Sequence, residues 1–368
     1  MTRRSGHSDR DRIAVVGGGP AGLSAALTAA RLGLPCVLFE KGEIGGNIQC
    51  AEGIYDPAGV LTMDKAFIRT RIRHARLHVN GRSFTFDIGS RNRFFVIDRG
   101  EWQAELGRRA RAAGVAVREG ERADPFALQD DFRAVVDARG MYAFYSRWHE
   151  FDPPPGFGLQ WTLEGDFSAW ANTIDVKILE EQPGYFWIFP KGTRQANVGF
   201  GWLTRPAAPP WEILEGYLEA NGIAGYRRVR KIGGFLVGTC PQPPFAGKVI
   251  RTGDAGGFAS ALHGGGIDAA WLTGRLAVET VARGEPAHFL RELNRKLGLM
   301  RCVEQRVMDK WLAEGPAALE RAGRLLEENG PLLRASVRFI TSGLLGAAVR
   351  RVFQGAMPRE FYRLTDQI

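Results

Sequence analysis

The residues most suggestive of chemistry lie near the N-terminus, where glycines follow a short apolar run. Residues 13–16 predict a buried parallel strand, and the segment 17–22 follows with the spacing G-x-G-x-x-G. Gly17 would permit a tight turn, Gly19 would let the main chain approach a pyrophosphate, and Gly22 would let a helix pack closely on the strand. The N-terminus of that helix would offer unpaired N–H groups to phosphates. The segment therefore predicts a dinucleotide site.

An acidic residue stands where the ribose of such a nucleotide would lie. The strand predicted over residues 36–39 ends at Glu40, roughly 20 positions after Gly17, which is the offset of a ribose-binding acid. A carboxylate there accepts a hydrogen bond from the 2′-hydroxyl and repels a 2′-phosphate. The cofactor is therefore FAD or NAD rather than NADP.

A second element, residues 249–257, predicts a strand that runs into the turn Gly253-Asp254-Ala255 and then a helix. This resembles FAD enzymes of the glutathione-reductase type, in which such a strand returns to the nucleotide sheet and its aspartate contacts the flavin side of the cofactor. The resemblance favours FAD over NAD. The alternative is an ordinary strand-to-helix turn.

The predicted fold class is α/β: a Rossmann-type FAD-binding domain of the glutathione-reductase type, an antiparallel β-sheet substrate domain and a C-terminal helical region. The FAD-binding domain is predicted to be discontinuous. The expected ranges are 11–62, 95–142 and 245–285 for the FAD-binding domain, 63–94 and 143–244 for the substrate domain, and 286–368 for the helices.

Local patterns support this division. A hairpin is predicted over 77–86 around Asn80-Gly81, with further strands at 158–163, 174–179, 185–189 and 197–202 and a proline-rich linker at 152–156. Apolar residues spaced three or four apart predict a single face of one long helix. They are Phe289, Leu293, Leu297, Met300, Val303, Val307 and Trp311.

Residues 185–201 point to a family. Tyr185-Phe186-Trp187-Ile188-Phe189-Pro190, eight further residues and Gly199-Phe200-Gly201 resemble the Y-x-W-x-F-P, eight residues, G-x-G pattern of geranylgeranyl reductases. The family's cysteine motif is matched by Cys50-Ala51-Glu52-Gly53, and its glycine cluster by Gly264-Gly265-Gly266-Ile267 after Gly253-Asp254-Ala255. The resemblance covers about residues 12–270 and implies a para-hydroxybenzoate-hydroxylase-like flavoprotein fold.

The resemblance implies an FAD-dependent reductase of isolated double bonds in long isoprenoid chains. Such a reaction needs hydride equivalents from reduced flavin, a proton, and an apolar slot that lays the alkene against the ring. The implied FAD contacts are Gly17, Gly19, Ala21, Gly22 and Glu40 for the ADP half, Ala123 near adenine, Arg99 by the phosphates, and Cys50, Ala51, Gly53, Asp254, Gly266 and Ile267 along the ribityl chain and flavin.

The same resemblance places Tyr185, Trp187, Phe189, Gly199 and Gly201 in the wall of the prenyl cavity. The alternative for these aromatics is a half-buried strand whose side chains belong to a core.

Two residues are candidates for a catalytic role. Cys50 would border the flavin, and His263 stands just before the glycine cluster, where relatives carry a compact hydrophilic residue. His263 is either a proton donor or a polar residue hydrogen-bonded to the main chain. The chain also departs from the family at Ala261, where many relatives have proline, and at Arg139-Gly140, where Asp-Gly is expected.

Other functions remain open for this fold. Flavin-dependent monooxygenases and halogenases share it, but the halogenase motif G-W-x-W-x-I-P is broken here at Tyr185 and Phe189. An electron-transfer flavoprotein-type quinone reductase and a cofactor-free Rossmann-like module are further alternatives. The electron donor, such as NADPH or ferredoxin, is not identified, because no second strand-linked G-x-G-x-x-G follows for NADPH.

The 368 residues carry a net charge of +9, and 45% are hydrophobic, which excludes a disordered chain. The excess of arginine indicates either a solvated surface or attraction to an anionic membrane, and no motif supports nucleic-acid binding. The stretch 334–353, apolar over 339–349 and flanked by arginines, would lie on a membrane surface or cap the core. We expect a cytoplasmic protein, peripheral on the membrane, whose dispersed cysteines form neither a metal site nor disulfides.

Overall fold

The computed structural model describes residues 9–56, 59–61, 64–88, 93–151, 156–238 and 240–341, without the side chains of residue 9 and of residues 329–341. The strands in this part of the chain are β1 (Ile13–Val16), β2 (Cys36–Glu40), β3 (Gly53–Tyr55), β4 (Ile68–Arg71), β5 (His74–Val79), β6 (Arg82–Asp87), β7 (Phe94–Ile97), β8 (Ala116–Glu119), β9 (Ala134–Asp137), β10 (Gly156–Glu164), β11 (Thr173–Ile178), β12 (Gly184–Pro190), β13 (Gln195–Trp202), β14 (Arg227–Leu236), β15 (Phe245–Ala246) and β16 (Val249–Arg251). The α-helices are α1 (Pro20–Arg31), α2 (Arg99–Ala112), α3 (Pro210–Ala220), α4 (Ile267–Arg283), α5 (Pro286–Leu293), α6 (Leu299–Glu314) and α7 (Pro316–Thr341).

One sheet carries the predicted nucleotide site. Its strand order is β15-β16-β9-β1-β2-β8, and all pairs are parallel except β15 with β16. β1 is fully buried because helices cover the sheet. Helix α1 packs against α4 so closely that a Cβ at Gly274 would overlap the Ala21 carbonyl oxygen. The predicted return of the 249–251 strand to this sheet is thus observed.

A larger sheet has the order β14-β10-β13-β12-β11-β5-β6. Its pairs are antiparallel, as predicted, except β5 with β11, which is parallel. Strand alternation divides β12 between two faces: Phe186 and Ile188 enter a core with α3, while Tyr185, Trp187 and Phe189 point to the opposite face. That second face is the one on which the candidate site is built.

A small sheet, β3-β7-β4, links the two larger ones. It holds residues 53–55 directly after Cys50, and β7 leads into α2 through Asp98, whose side chain accepts a hydrogen bond from the Glu101 N–H. The segment Cys50-Ala51-Glu52, here called the cysteine loop, therefore lies next to the start of α2.

The C-terminal helices correct one expectation. The predicted single face is interrupted by a π-helical turn at Asn294–Gly298 between α5 and α6. A wider turn shifts the following residues around the axis, so Val303 is 49% exposed while Cys302, Met308 and Trp311 are buried. The 3–4 spacing is therefore a continuous core face only as far as Met300, and Val307 and Trp311 pack in a separate cluster.

Some expectations fall outside the residues that the structure describes. Residues 152–155 of the linker and residues 342–353 of the proposed membrane-facing stretch are among them. Over the described part of the chain, no helix combines the length and the apolar character that a bilayer crossing demands.

Candidate functional site

The glycine turn after β1 has the geometry of a phosphate-binding loop. Gly17 has φ +114°, and a Cβ there would overlap the Ala138 carbonyl oxygen, while a Cβ at Gly22 would overlap the oxygen of Gly17. Gly19 differs, because a Cβ at this position would meet no atom within 4 Å. Gly19 is also the N-cap of α1 and provides no side chain to cap the first N–H groups, which include that of Ala21.

Glu40 is fixed beside this turn. Its Oε2 accepts a hydrogen bond from the Gly18 N–H at 2.6 Å, and its Oε1 accepts one from the Gly42 N–H at 2.9 Å. Each oxygen keeps a further lone pair for a hydroxyl donor. Ala123 packs on the cluster that contains Phe39, the residue before Glu40.

Hydrogen bonds from the larger sheet hold the cysteine loop. Gln160 Nε2 donates to the Cys50 carbonyl at 3.2 Å, and Asn197 Nδ2 donates to the Ala51 carbonyl at 3.0 Å. Cys50 itself is half-buried, and its Sγ accepts a hydrogen bond from the Glu52 N–H at 3.1 Å. Gly53 has no space for a side chain, because a Cβ would lie 2.8 Å from the Phe189 ring.

Asp254 lies close to the start of α4. A Cβ at Gly266 would be 3.0 Å from Asp254 Oδ1, and Gly266 is the N-cap of α4 without a side-chain cap. Burial raises the pKa of Asp254, while the charges of Arg99 and Arg301 act in the opposite direction. The charge of Arg99, the first residue of α2, therefore reaches Asp254, and Ile267, the first residue of α4, is buried.

These features fit FAD. Two helices, α1 and α4, begin at glycines without a side-chain cap, and the space at Gly19 is open to a pyrophosphate. Glu40 is positioned to accept a hydrogen bond from a ribose hydroxyl. The chain's own residues therefore provide the donors and the open space that a dinucleotide requires.

The aromatic residues of β12 form a ladder along the site. The Tyr185 and Trp187 ring centroids are 5.8 Å apart, and those of Trp187 and Phe189 are 6.5 Å apart. Trp187 is 8% exposed, and its Nε1 donates to Gln160 Oε1 at 3.1 Å. Gly199 and Gly201 on β13 leave room for its indole. The ladder therefore extends from Tyr185 to Phe189, which contacts the cysteine loop.

An apolar cleft opens beside Tyr185, with about 380 Å³ of empty space when the solvent at its open side is included. It lies between β12 to β14, the loop 260–264 and α6. Its lining residues are Gly184, Tyr185, Gly201, Trp202, Leu203, Leu236, Gly238, Ser260, Ala261, Leu262, Gly264, Met308 and Trp311. Of the predicted wall residues, Tyr185 and Gly201 line this cleft, whereas Trp187, Phe189 and Gly199 lie further along the sheet.

His263 joins the loop above this cleft to α6. Its Nδ1 accepts a hydrogen bond from the Gly265 N–H at 3.1 Å, and its Nε2 lies 3.1 Å from Glu304 Oε1. The first bond assigns the proton to Nε2, which donates it to Glu304. The geometry thus favours the main-chain-bonded alternative for His263. The Tyr185 hydroxyl also donates to the His263 carbonyl at 2.7 Å.

Glu304 is ionised at neutral pH. Burial would raise its pKa, but the hydrogen bond from His263 and the Arg301 guanidinium outweigh burial and hold the pKa at about 2. Arg301 Nη1 donates to Glu304 Oε2 at 2.6 Å. The loop that precedes Gly266 is therefore anchored to the helical region by charge as well as by packing.

Sequence reasoning missed the residues that fix the site. Lys191 lies in the spacer of eight residues of the family pattern, and Asn197 and Gln160 are single positions in predicted strands. The residue types could have indicated this role, because an amide or an ammonium group in or next to apolar strands needs a buried hydrogen-bond partner. Glu304 could be placed only once α6 was packed against the loop.

Comparisons with known proteins agree with this site. The chain matches the model of an FAD binding domain over residues 12–79 and that of the geranylgeranyl reductase catalytic domain over residues 178–236. It is similar to the digeranylgeranylglycerophospholipid reductase of Methanosphaerula palustris, at 29% identity over 311 residues, or 74% of this chain and 77% of that protein. The reductase of the same name from Methanocella arvoryzae is 29% identical over 315 residues, or 73% of this chain and 77% of that protein.

Solved structures show the same fold. A geranylgeranyl bacteriochlorophyll reductase-like protein from Thermoplasma acidophilum superposes with a TM-score of 0.71 at 21% identity, covering 86% of this chain and 91% of that chain. A flavin-dependent brominase has a TM-score of 0.69 at 16% identity, covering 95% and 98%. The predicted resemblance to geranylgeranyl reductases, the α/β flavoprotein fold and the cofactor FAD are confirmed.

Proposed function

We propose that this FAD-dependent oxidoreductase, which resembles geranylgeranyl reductases, hydrogenates isolated double bonds of a geranylgeranyl-type chain. One observation carries the proposal: an apolar cleft opens between the face of the Y-x-W-x-F-P strand and the loop that leads to Gly266. The relatives named digeranylgeranylglycerophospholipid reductases support a phospholipid as the first substrate to test. A quinone, a chlorophyll or a free diphosphate could carry the same chain.

The cleft suits a hydrocarbon. Its lining is dominated by apolar side chains, and its side-chain polar groups are the hydroxyls of Tyr185 and Ser260 and the indoles of Trp202 and Trp311. The Tyr185 hydroxyl is already engaged by the His263 carbonyl, so it presents its ring to the cleft. An alkene needs contact area and exclusion of water rather than polar partners, and this wall supplies both.

We propose that the chain holds FAD as the sequence predicts, through Gly17, Gly19, Ala21, Gly22, Glu40, Cys50, Ala51, Gly53, Arg99, Ala123, Asp254, Gly266 and Ile267. When bound and reduced by two electrons, the cofactor would supply a hydride to one alkene carbon, and the other carbon would take a proton. The role of the chain is to orient the alkene: Tyr185, Trp187 and Phe189 form one wall, and Gly199 and Gly201 leave space for the Trp187 indole in that wall. His263 positions the glycine loop, and Cys50 borders the flavin.

This function implies the remaining partners. We propose that 11–62, 95–142 and 245–285 bind the cofactor, that 63–94 and 143–244 bind the substrate, and that an external reductant such as NADPH or ferredoxin supplies electrons. A substrate with an isoprenoid tail is insoluble, so we propose that the enzyme is peripheral on the cytoplasmic face of a membrane. The net charge of +9 supports an anionic surface.

The test is anaerobic incubation of the FAD-loaded protein, reduced with dithionite, with a digeranylgeranyl glycerophospholipid. Mass spectrometry should show a gain of two hydrogens for each double bond reduced, with none in protein-free dithionite. Reoxidation of the enzyme by a quinone without any hydrogenated lipid would replace the proposal with a quinone reductase. A halogenated indole formed with oxygen and bromide, again without hydrogenated lipid, would favour a halogenase.

A further inference from the structure

We propose that Lys191 and Glu52 are positioning residues, whose buried ion pair holds the Cys50–Gly53 turn against the FAD site. Lys191 Nζ lies 2.7 Å from Glu52 Oε2, and the side chains are 11% and 9% exposed. The inference rests on the proposed function, because it assigns the pair a task in the reduction. It concerns how the turn is placed, which the sequence motif alone leaves open.

The pair connects three parts of the molecule. Lys191 follows β12 directly, so it belongs to the sheet that bears the aromatic ladder. Glu52 Oε1 accepts a hydrogen bond from the Arg99 N–H at 3.0 Å, at the start of α2, and Glu52 Oε2 accepts one from Asn197 Nδ2 at 2.9 Å. A single carboxylate therefore fixes the turn relative to the substrate wall and to the arginine expected near the phosphates.

The main chain at Glu52 is strained in a way that needs such support. Glu52 has φ +65°, a left-handed conformation that is unfavourable for a non-glycine residue. Such conformations persist where the surroundings determine them, and they cluster at functional sites. Here the strained residue follows Cys50 by two positions, and its N–H donates to Cys50 Sγ. The conformation of Glu52 thus sets the position of the thiol.

Stability alone is a weak explanation for the pair. The cost of removing two charges from water offsets much of their attraction. Apolar residues of similar size in the same positions therefore often stabilise a protein as much as the ion pair does. Position is a better explanation, because the carboxylate accepts donors from three elements at once, and no apolar side chain could do so.

The test uses the reactivity of Cys50 in the folded, FAD-loaded protein. Cys36, Cys240 and Cys302 are buried, so an aromatic disulfide reagent reports Cys50, with Cys50→Ser as the blank. Lys191→Met should release the turn and, through local opening, raise the rate at which the Cys50 thiol reacts with the reagent about tenfold. The same variant should shift the flavin absorption bands. Glu52→Gln, which keeps the shape of the side chain, is the second variant if Lys191→Met does not fold.

The matched control is Arg76→Met. Arg76 pairs with Asp175 at 3.0 Å in the same sheet, between β5 and β11, and the Asp175 side chain is 6% exposed. This variant also removes the cation paired with a buried carboxylate. It should change neither the rate at which Cys50 reacts with the reagent nor the flavin spectrum. Unchanged values in Lys191→Met, or equal changes in Arg76→Met, would overturn the proposal. Neither readout uses a prenyl substrate, so a failure of lipid hydrogenation is separately visible.

Discussion

Trp187 and Gly199 are cross-strand partners in the β12–β13 pair, and the indole fills the space above the glycine. A Cβ at position 199 would lie 2.6 Å from Trp187 Cζ2, and one at Gly201 would lie 3.5 Å from Cζ3. The eight residues that separate the two halves of the motif therefore encode a register. They form the turn after β12 and the first part of β13, which together bring glycine opposite tryptophan.

We expect Trp187→Ala to slow prenyl reduction more than it lowers flavin content. The truncation removes a buried ring and the donor to Gln160, which in turn bonds the Cys50 carbonyl. The free energy of unfolding should fall by about 3 kcal/mol, as for other buried aromatics replaced by alanine. Product formation by chemically reduced enzyme is the measurement, and Trp187→Phe is the control that retains most of the ring. An unchanged rate in Trp187→Ala would assign the residue to the core alone.

The parts of the fold that the sequence predicted are those specified locally. The segment from β1 to Glu40 was predicted because its glycines, apolar runs and acid lie within one βαβ unit. Strand β14 was missed, since Arg227–Leu236 is rich in basic residues and lies at a sheet edge, where burial imposes no alternation. The parallel pairing of β5 with β11 was missed because nothing local distinguishes it from an antiparallel pair.

The candidate site divides in the same way. Residues that contact a cofactor through the main chain, such as Gly19, are visible in a motif. Glu52 and Lys191 are 139 positions apart, and their contact exists only after two sheets are packed. The π-helical turn before α6 is equally invisible to a spacing rule, because its apolar residues keep the 3–4 period through it.

A bulky residue at Gly19 should abolish FAD binding while the protein remains folded. A Cβ there meets no protein atom within 4 Å, so Gly19→Leu places its side chain in the space reserved for the pyrophosphate. Flavin absorbance after purification and a circular dichroism spectrum are the measurements. Gly216→Leu is the control, because Gly216 in α3 is equally unobstructed and lies in a different element. Normal flavin content in Gly19→Leu would refute the phosphate-loop assignment.

Glu304 should make the stability of the protein sensitive to acid. Its native pKa of about 2 is below the ordinary value of 4.5, so its contribution is fully present above pH 4.5 and is lost as pH falls towards 2. Between pH 5.5 and 3.5 this loss amounts to about 1 kcal/mol of unfolding free energy. Urea unfolding at both values should show a smaller decrease for Glu304→Gln than for the wild type. Glu219→Gln, a change at an exposed residue of α3, should leave the decrease as large as in the wild type. An equally large decrease in Glu304→Gln would show that the Glu304 carboxyl does not supply this acid-sensitive stability.

Binding to anionic vesicles should depend on salt and on the arginines that flank residues 339–349. Arg334, Arg338, Arg350 and Arg351 surround this apolar stretch, and each basic residue near an anionic surface contributes on the order of 1 kcal/mol. Replacing all four with glutamine should weaken sedimentation with phosphatidylserine vesicles by at least about tenfold, because several such contributions are lost together.

A matched variant separates a local effect from one of net charge. The variant replaces four arginines elsewhere on the surface with glutamine and so removes the same total charge. These residues are Arg108, Arg109, Arg227 and Arg228. Their replacement should reduce binding far less if the flanking arginines form the docking site. Equal losses in the two quadruple variants would attribute the attraction to the overall charge. Binding that depends on neither salt nor phosphatidylserine would remove the electrostatic contribution. Apolar contact with the cleft, which Leu203 and Trp311 help to line, would then be the means of collecting an isoprenoid chain from a bilayer.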